Sequence, residues 1–267
     1  MTSLPLSTDR LIATIEDSIG WIVINNPERR NAISVEMWEE IPRIFERFDA
    51  DPAVRVIVLR GTGEKAFIAG LDLSQIEERF SSKEAMTRHG ELTVRVSERI
   101  AQSPKPTIAM IYGYCIGAGV QIAATCDLRI AADTATVAIT AAKLGLGYPL
   151  ESLWRLVELV GSSYTKEIFF TGRQFTAAEA QAMGFVDRVL PMAELENFVR
   201  AYCKTIAKNA PLTIRAVKQT IAEFSAVPSA VNRDFCEQLI GACYASEDYI
   251  EGRRAFSEKR TPNFRGS

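Results

Sequence analysis

The chain has 267 residues with 31 basic and 33 acidic side chains, a formal net charge of −2, and 47% of its residues are hydrophobic. That is a globular composition, long enough to bury a substantial core in one large domain or a large domain with a smaller appendage, and it argues against disorder. No Lys/Arg block supplies the electrostatic footprint of a nucleic-acid or anionic-membrane binder, so neither is an expected partner. Asp9, Arg10, Glu16 and Asp17 interrupt the first twenty positions, and no secretory signal is read there. The five cysteines (Cys115, Cys126, Cys203, Cys236, Cys243) form no C-x-x-C pair and read as reduced thiols of a cytoplasmic protein.

In chain order, Leu11 to Glu16 and Trp21 to Asn25 are predicted to form a hairpin that turns through Ser18-Ile19-Gly20. Val35 to Phe48 has apolar residues at helical spacing, with Ser34 as N-cap. Val54 to Arg60 reads as a buried strand, and Lys83 to Gln102 as a long, charged amphipathic helix on which His89, the only histidine, is expected to face solvent. Thr107 to Tyr112 and Leu128 to Ala132 are two further strands. Thr107 to Cys126 is uncharged over the length of a membrane span, but Pro104 and Pro106 precede it and three glycines and Gln121 interrupt it, so a buried strand followed by an apolar helix is expected instead. Strands alternating with helices indicate an α/β protein. No internal period of about twenty to fifty residues is evident. Beyond Pro191 the pattern is helical, with Leu195 to Phe224 and Ala230 to Ser257 separated near Pro228. Residues 1–191 are therefore expected to form the core, and 192–267 a helical module suited to assembly.

Chemistry is concentrated at two glycine-containing strand exits. Ala66-Phe67-Ile68-Ala69-Gly70-Leu71-Asp72-Leu73 follows a strand and the Gly61-Thr62-Gly63 turn, and Gly113-Tyr114-Cys115-Ile116-Gly117-Ala118-Gly119 leaves the Thr107 strand for a helix beginning near Val120. Glycines let a backbone approach a ligand, and a helix N-terminus offers unsatisfied N–H donors. If the two exits were adjacent, main-chain N–H groups from both would converge on one oxygen as an oxyanion hole.

Taken together, five segments in order resemble the enoyl-CoA hydratase/isomerase (crotonase) superfamily. They are Asn26-Pro27-Glu28-Arg29-Arg30-Asn31-Ala32, the Ala66 to Leu73 loop, Gly113 to Ala132 with Cys126-Asp127-Leu128-Arg129, the Thr171-Gly172-Arg173 to Asp187 stretch, and Glu258-Lys259-Arg260-Thr261-Pro262-Asn263-Phe264. The resemblance implies a crotonase-like spiral of ββα units, a C-terminal helical trimerisation module, and homotrimers or dimers of trimers. It also implies an acyl-CoA thioester as substrate, with its carbonyl between Leu71 N–H and Ala118 N–H. Coenzyme A would be part of the substrate, with no separate cofactor and no metal. CoA or substrate contacts are implied at Arg30, Ala32, Ala69, Leu71, Asp72, Leu73, Phe256 and Lys259, and an acyl pocket around Ser74 to Glu98.

The sequence departs from the family where a typical hydratase carries paired glutamates, since Gln121 and Ala141 occupy those positions. An amide orients water but does not shuttle a proton, and a methyl does neither. Pro149 stands where some relatives supply a carboxylate, while Glu151 lies two residues further along. Thr140 and Tyr148 fall where methylmalonyl-CoA decarboxylases of the superfamily hold the substrate carboxylate. Decarboxylase-like lyase chemistry is therefore expected to use Thr140 and Tyr148. The alternatives are a hydratase or isomerase using Glu151 or a Gln121-held water, and a non-catalytic CoA-binding paralogue.

Overall fold

The computed structural model describes residues 2–72, 75, 82–144, 148, 150–225, 234–235, 238, 241–242 and 245–267. The chain opens with β1 (Thr2–Ser3), β2 (Leu11–Glu16) and β3 (Ile19–Ile24), followed by the helix α1 (Val35–Ala50). It then lays down strands in pairs: β4 (Val56–Gly61) with β5 (Ala66–Ala69), β6 (Thr107–Ile111) with β7 (Tyr114–Ile116), and β8 (Leu128–Ala132) with β9 (Thr136–Ala138). The first strand of each pair joins a seven-stranded sheet of order β1-β2-β3-β4-β6-β8-β11, and the second joins a four-stranded sheet of order β10-β9-β7-β5. A helix closes each turn: α2 (Lys83–Gln102), α3 (Ala118–Thr125) and α4 (Leu150–Thr171), the last broken at Gly161. β10 (Phe175–Thr176), α5 (Ala177–Ala182) and β11 (Arg188–Leu190) complete the spiral. From β3 to β11 the large sheet is parallel, which is what alternation between two sheets produces.

Parallel strands covered on both faces read as continuous apolar runs, and that is why the Val54, Thr107 and Leu128 strands are evident in the sequence. Successive residues of the large sheet feed opposite cores. Ile22, Ile57, Leu59, Ala109 and Ile111 point into the main core with Trp38, Phe45 and Phe67. Trp21, Val56, Val58, Ile108 and Met110 pack on Leu195, Val199 and Cys203 of α6 (Leu195–Ala207). The helical stretch that composition sets apart at residue 192 thus begins with a helix seated on the large sheet.

Several elements differ from the sequence expectation, each for a physical reason. The hairpin turns at Asp17 and Ser18, both left-handed (φ 52° and 63°), and Ile19 and Gly20 lie inside β3. Gly20 is there for packing: a Cβ on it would sit 2.7 Å from Phe48 Cδ2. Ser34 occupies the N-cap of α1 but makes no capping bond with its side chain, and Gln75 Oε1 instead accepts from Val35 N at 3.0 Å. Part of the second glycine-rich exit is a strand, β7, and α3 starts at Ala118 rather than Val120. The expected Leu195 to Phe224 helix divides at residues 208–210, because Pro211 opens α7 (Pro211–Ser225) at a position where its missing N–H costs nothing. Of the expected Ala230 to Ser257 helix, α8 (Glu247–Glu258) lies within the described residues, whereas Pro228, Cys236 and Cys243 do not. No helix among the described residues is long and apolar enough to cross a membrane, the Thr107 to Cys126 run being two short strands and an eight-residue helix.

Candidate active site

The small sheet brings its strand ends into one row. β5, β7 and β9 run parallel with Ala69 opposite Ile116 and Ile116 opposite Ala138. Leu71, Ala118 and Thr140 each stand two residues beyond that row, at the carboxyl end of the sheet where α/β proteins place their ligands. The two glycine-flanked exits are therefore neighbours, on strands about 4.8 Å apart. Gly70 (φ 101°) and Gly117 (φ 54°) supply the left-handed backbone that turns each chain out of the sheet.

Among the described residues, the local hydrogen bonding leaves the two N–H groups available. Leu71 is bracketed in a parallel bridge with Ile33, in which Ile33 N donates to Gly70 O at 2.9 Å and Asp72 N donates to Ile33 O at 3.0 Å. Its own N–H, in the same planar peptide as the Gly70 carbonyl, points the opposite way, away from Ile33. Ala118 is the first residue of α3, where an N–H has no intrahelical acceptor, and Gly117 at the cap has no side chain to offer one. Gly117 N donates to Ala138 O at 2.9 Å, locking the helix start onto β9. Gly119 lets the helix close on β5, since a Cβ there would lie 2.3 Å from Ile68 O. Gly119→Ala is expected to destabilise the fold by about 1–3 kcal/mol and to move α3 away from β5, read as a lower denaturation midpoint with weaker acyl-CoA binding.

Among the described residues around this row, the side chains are poor in free acids. Gln121, on the first turn of α3, is buried; its Nε2 donates to Ser97 Oγ of α2 at 3.4 Å. Ala141 is buried at the start of a 3-10 turn whose Lys143 N donates to Thr140 O at 3.0 Å. The Tyr148 hydroxyl is buried without a hydrogen-bond partner among the described residues, its ring edge-on to Phe169 with centroids 4.7 Å apart. Burial, with a smaller contribution from the Cys115 thiol, pushes the phenol well above its ordinary value, so it stays protonated.

The other predicted residues are distributed along the same edge and beyond it. Asn26 to Ala32 forms a tight 3-10 turn with Arg30 and Asn31 left-handed (φ 52° and 58°). Buried Asn31 ties it to β5, its Nδ2 donating to Ala66 O at 2.7 Å and to Thr62 O at 3.1 Å. Ala69 N donates to Arg30 O at 3.1 Å, and the Arg30 guanidinium lies over the Tyr114 ring at 4.9 Å. Ala32 is buried with its carbonyl accepting from Asn26 Nδ2. Asp72, expected as a substrate contact, is 1% exposed and ion-paired within the protein to Arg29 and Arg10. Lys259 is exposed after α8, and no hydrogen bond or ion pair among the described residues links it to this row. Leu73, Pro149 and the side chains of Glu151 and Phe256 lie outside the described residues, as do residues 74 and 76–81 of the expected acyl-pocket stretch.

His89 is half-buried rather than solvent-facing, because the α2 face that meets α3 also carries buried Thr93, whose hydroxyl donates to His89 O at 2.6 Å. Burial raises the Cys115 thiol and carries Cys126 and Cys203 up to about 12, so all three are neutral packing groups. No cluster of His, Cys, Asp or Glu suited to a metal ion occurs among the described residues. Sequence reasoning assigned no role to Ser97, the partner of Gln121, or to the ion pairs of Asp72. Ser97 carries no motif and shows only as a polar residue on the buried stripe of α2, between Val96 and Ile100.

The sequence model of the family described as enoyl-CoA hydratase/isomerase matches residues 14–267. The chain is 30% identical over 255 residues to a short-chain-enoyl-CoA hydratase of Clostridium acetobutylicum, spanning 96% of this chain and 97% of that one. It is likewise 30% identical over 253 residues to an (E)-benzylidenesuccinyl-CoA hydratase of Thauera aromatica, spanning 95% and 98%. The crystal structure of an enoyl-CoA hydratase/carnithine racemase from Magnetospirillum magneticum superposes with a TM-score of 0.91 at 31% identity, covering 98% of this chain and 97% of that one. Matched in sequence and in fold along nearly its whole length, the chain belongs to the enoyl-CoA hydratase/isomerase family, whose members act on acyl-CoA thioesters.

Proposed function

We propose that the protein is a lyase of this family that decarboxylates a carboxyacyl-CoA thioester through an enolate held by Leu71 N–H and Ala118 N–H. As the bond from Cα to the carboxylate breaks, carbon dioxide leaves and its electron pair becomes the enolate, whose charge gathers on the thioester oxygen. Two fixed donors stabilise that oxygen where the charge develops, each worth about 3 kcal/mol of barrier. A proton then returns to Cα from a neutral hydroxyl, and solvent restores the donor. No strong base enters this sequence, which suits Gln121 and Ala141 in place of acids. Thr140 and Tyr148 are the hydroxyls assigned to hold the substrate carboxylate and supply the proton.

The observation that carries this proposal is the Tyr148 phenol, buried, unpartnered among the described residues and held protonated. A buried hydroxyl without a partner is costly unless something fills the vacancy, and a substrate carboxylate is a suitable acceptor. The protein is further read as working without a resident cofactor, coenzyme A being part of the substrate. We also read it as a cytoplasmic homotrimer or dimer of trimers. Exposed Trp154 and Phe170 on α4 and Val217 and Ile221 on α7 are the apolar surface such assembly would cover.

Incubation with malonyl-CoA and methylmalonyl-CoA is expected to release carbon dioxide, and Tyr148→Phe to slow that release by about a hundredfold. A second reading, hydration or isomerisation using Glu151 or a Gln121-held water, is favoured by the names of the relatives. Rapid hydration of crotonyl-CoA without carbon dioxide release would replace the first reading with the second. Tight CoA binding with neither reaction would make the protein a non-catalytic paralogue.

A further inference from the structure

We infer that Asp72 is a positioning residue: its buried carboxylate, gripped by Arg29 and Arg10, aims the Leu71 N–H at the thioester oxygen. The inference rests on the N–H pair proposed above. The Leu71 N–H shares one planar peptide with the Gly70 carbonyl, so its direction depends on what holds Gly70 before it and Asp72 after it. Gly70 is held through its carbonyl by Ile33 N, and Asp72 through its N–H by Ile33 O. Those bonds set the strand direction. A left-handed glycine (φ 101°) immediately before Leu71 nonetheless leaves the peptide a hinge.

The Asp72 side chain supplies a further anchor on the far side of that hinge. Its Oδ1 meets Arg29 Nη1 at 2.7 Å and its Oδ2 meets Arg10 Nη1 at 3.4 Å, the carboxylate being 1% exposed while the arginine side chains are 50% and 42% exposed. The arginines come from separate places, Arg29 from the 3-10 turn over Pro27–Arg29 and Arg10 from the residue before β2. One carboxylate is thereby fixed from two directions to the frame of the large sheet. A charge-assisted pair of this length is among the strongest available to the fold, and its geometry is set by the planar guanidinium. Asp72 also accepts from Gln75 N through its carbonyl at 3.1 Å, and Gln75 caps α1 through Val35 N. The oxyanion loop is thus fastened at the residue directly after its donor. Precision matters there, because a shift of about 1 Å in a reacting geometry costs on the order of a hundredfold in rate.

The test reads the donor directly rather than turnover. Acetyl-CoA labelled with carbon-13 at the thioester carbonyl is bound to the full-length protein, and its carbonyl stretch is followed by difference infrared spectroscopy. In the wild type the band is expected to move to lower wavenumber as the N–H pair polarises the carbonyl. In Asp72→Asn the displacement is expected to fall by about half or more while affinity changes by less than about threefold, because orientation rather than ground-state binding is lost. Arg29→Gln is expected to show the same loss, the double substitution no more than either single one, and Asp72→Glu a partial recovery. A full wild-type displacement in Asp72→Asn overturns the inference while leaving the N–H pair intact, and so does weakened binding with full displacement, which would make Asp72 a CoA contact. Bound acetyl-CoA with no displacement in the wild type overturns the N–H pair and this inference together. Should Asp72→Asn fail to fold, Arg29→Gln decides alone: full displacement there overturns the inference.

Discussion

Ala118→Pro is expected to lower kcat by about 10²–10³-fold, the loss that removal of one oxyanion donor produces, while the protein remains folded. Proline is the sharpest instrument available at this position. Ala118 is the first residue of α3, where an N–H has no acceptor within the helix, and proline's fixed φ near −65° suits that position. The preceding residue is Gly117, which has no Cβ to meet the proline ring. The substitution therefore removes the donor and little else. Because the donor acts on charge that exists only in the enolate, kcat is expected to fall much more than KM rises. Steady-state kinetics on a carboxyacyl-CoA, with thermal unfolding as the control, checks both halves. Activity within about threefold of wild type in a folded variant would remove Ala118 N–H from the mechanism.

The parts of the fold that show in the sequence are those buried on both sides. Val56–Gly61, Thr107–Ile111 and Leu128–Ala132 are mostly apolar because both faces of the large sheet are covered. The small sheet does not show. Its strands are two to four residues long, too short for alternation to register, and β7 is hidden inside a glycine-rich segment that resembles a loop. The spiral's repetition is masked as well, since the helix closing one turn has twenty residues and the next has eight. In α4, Gly161 (φ 73°, ψ 167°) breaks the periodicity that marks a long helix. Gly20 misleads in the opposite sense, as its bareness serves Phe48 and not a turn.

The candidate site was partly legible for a related reason. Gly70, Gly117 and Gly119 identify places where backbone approaches something closely, but their adjacency is a matter of register between β5 and β7, which local pattern does not encode. The positions of Leu71 and Ala118 came from family resemblance. Sheet pairing then brings both, with Thr140, to one edge. Ion pairs across long stretches of chain, such as Asp72 with Arg29, leave no sequence trace at all. Surface charge abounds in a chain whose Lys, Arg, Asp and Glu make up 24% of residues.

Arg129→Met is expected to cost about 3–5 kcal/mol of stability through the buried acceptors it orphans, a melting point lower by roughly 10 °C on the scaling for chains of this size. Arg129 belongs to the Gly113 to Ala132 segment, and the structure gives it a concrete task. The residue is 3% exposed, and all five guanidinium N–H groups find acceptors. Nε donates to Phe185 O at 2.7 Å; Nη1 donates to Cys126 O at 2.7 Å and Ala123 O at 3.3 Å; Nη2 donates to Asp127 O at 3.2 Å and Asp187 Oδ2 at 3.0 Å. Methionine fills much of the volume and supplies none of these bonds, so the buried carbonyls of Phe185 and Cys126 lose the donor they face. Asp187 is 35% exposed and regains water, which places most of the cost on the carbonyls rather than on the lost ion pair. The cation also sits at the negative end of α3, the helix whose other end presents Ala118 N–H. Arg129→Lys is expected to recover only a minor part of the stability, because one ammonium cannot span acceptors arranged for a planar fork. Denaturant midpoints for both variants test this. A loss under about 1 kcal/mol for Arg129→Met would mean that water reaches the orphaned carbonyls and that the end of α3 is held by packing alone.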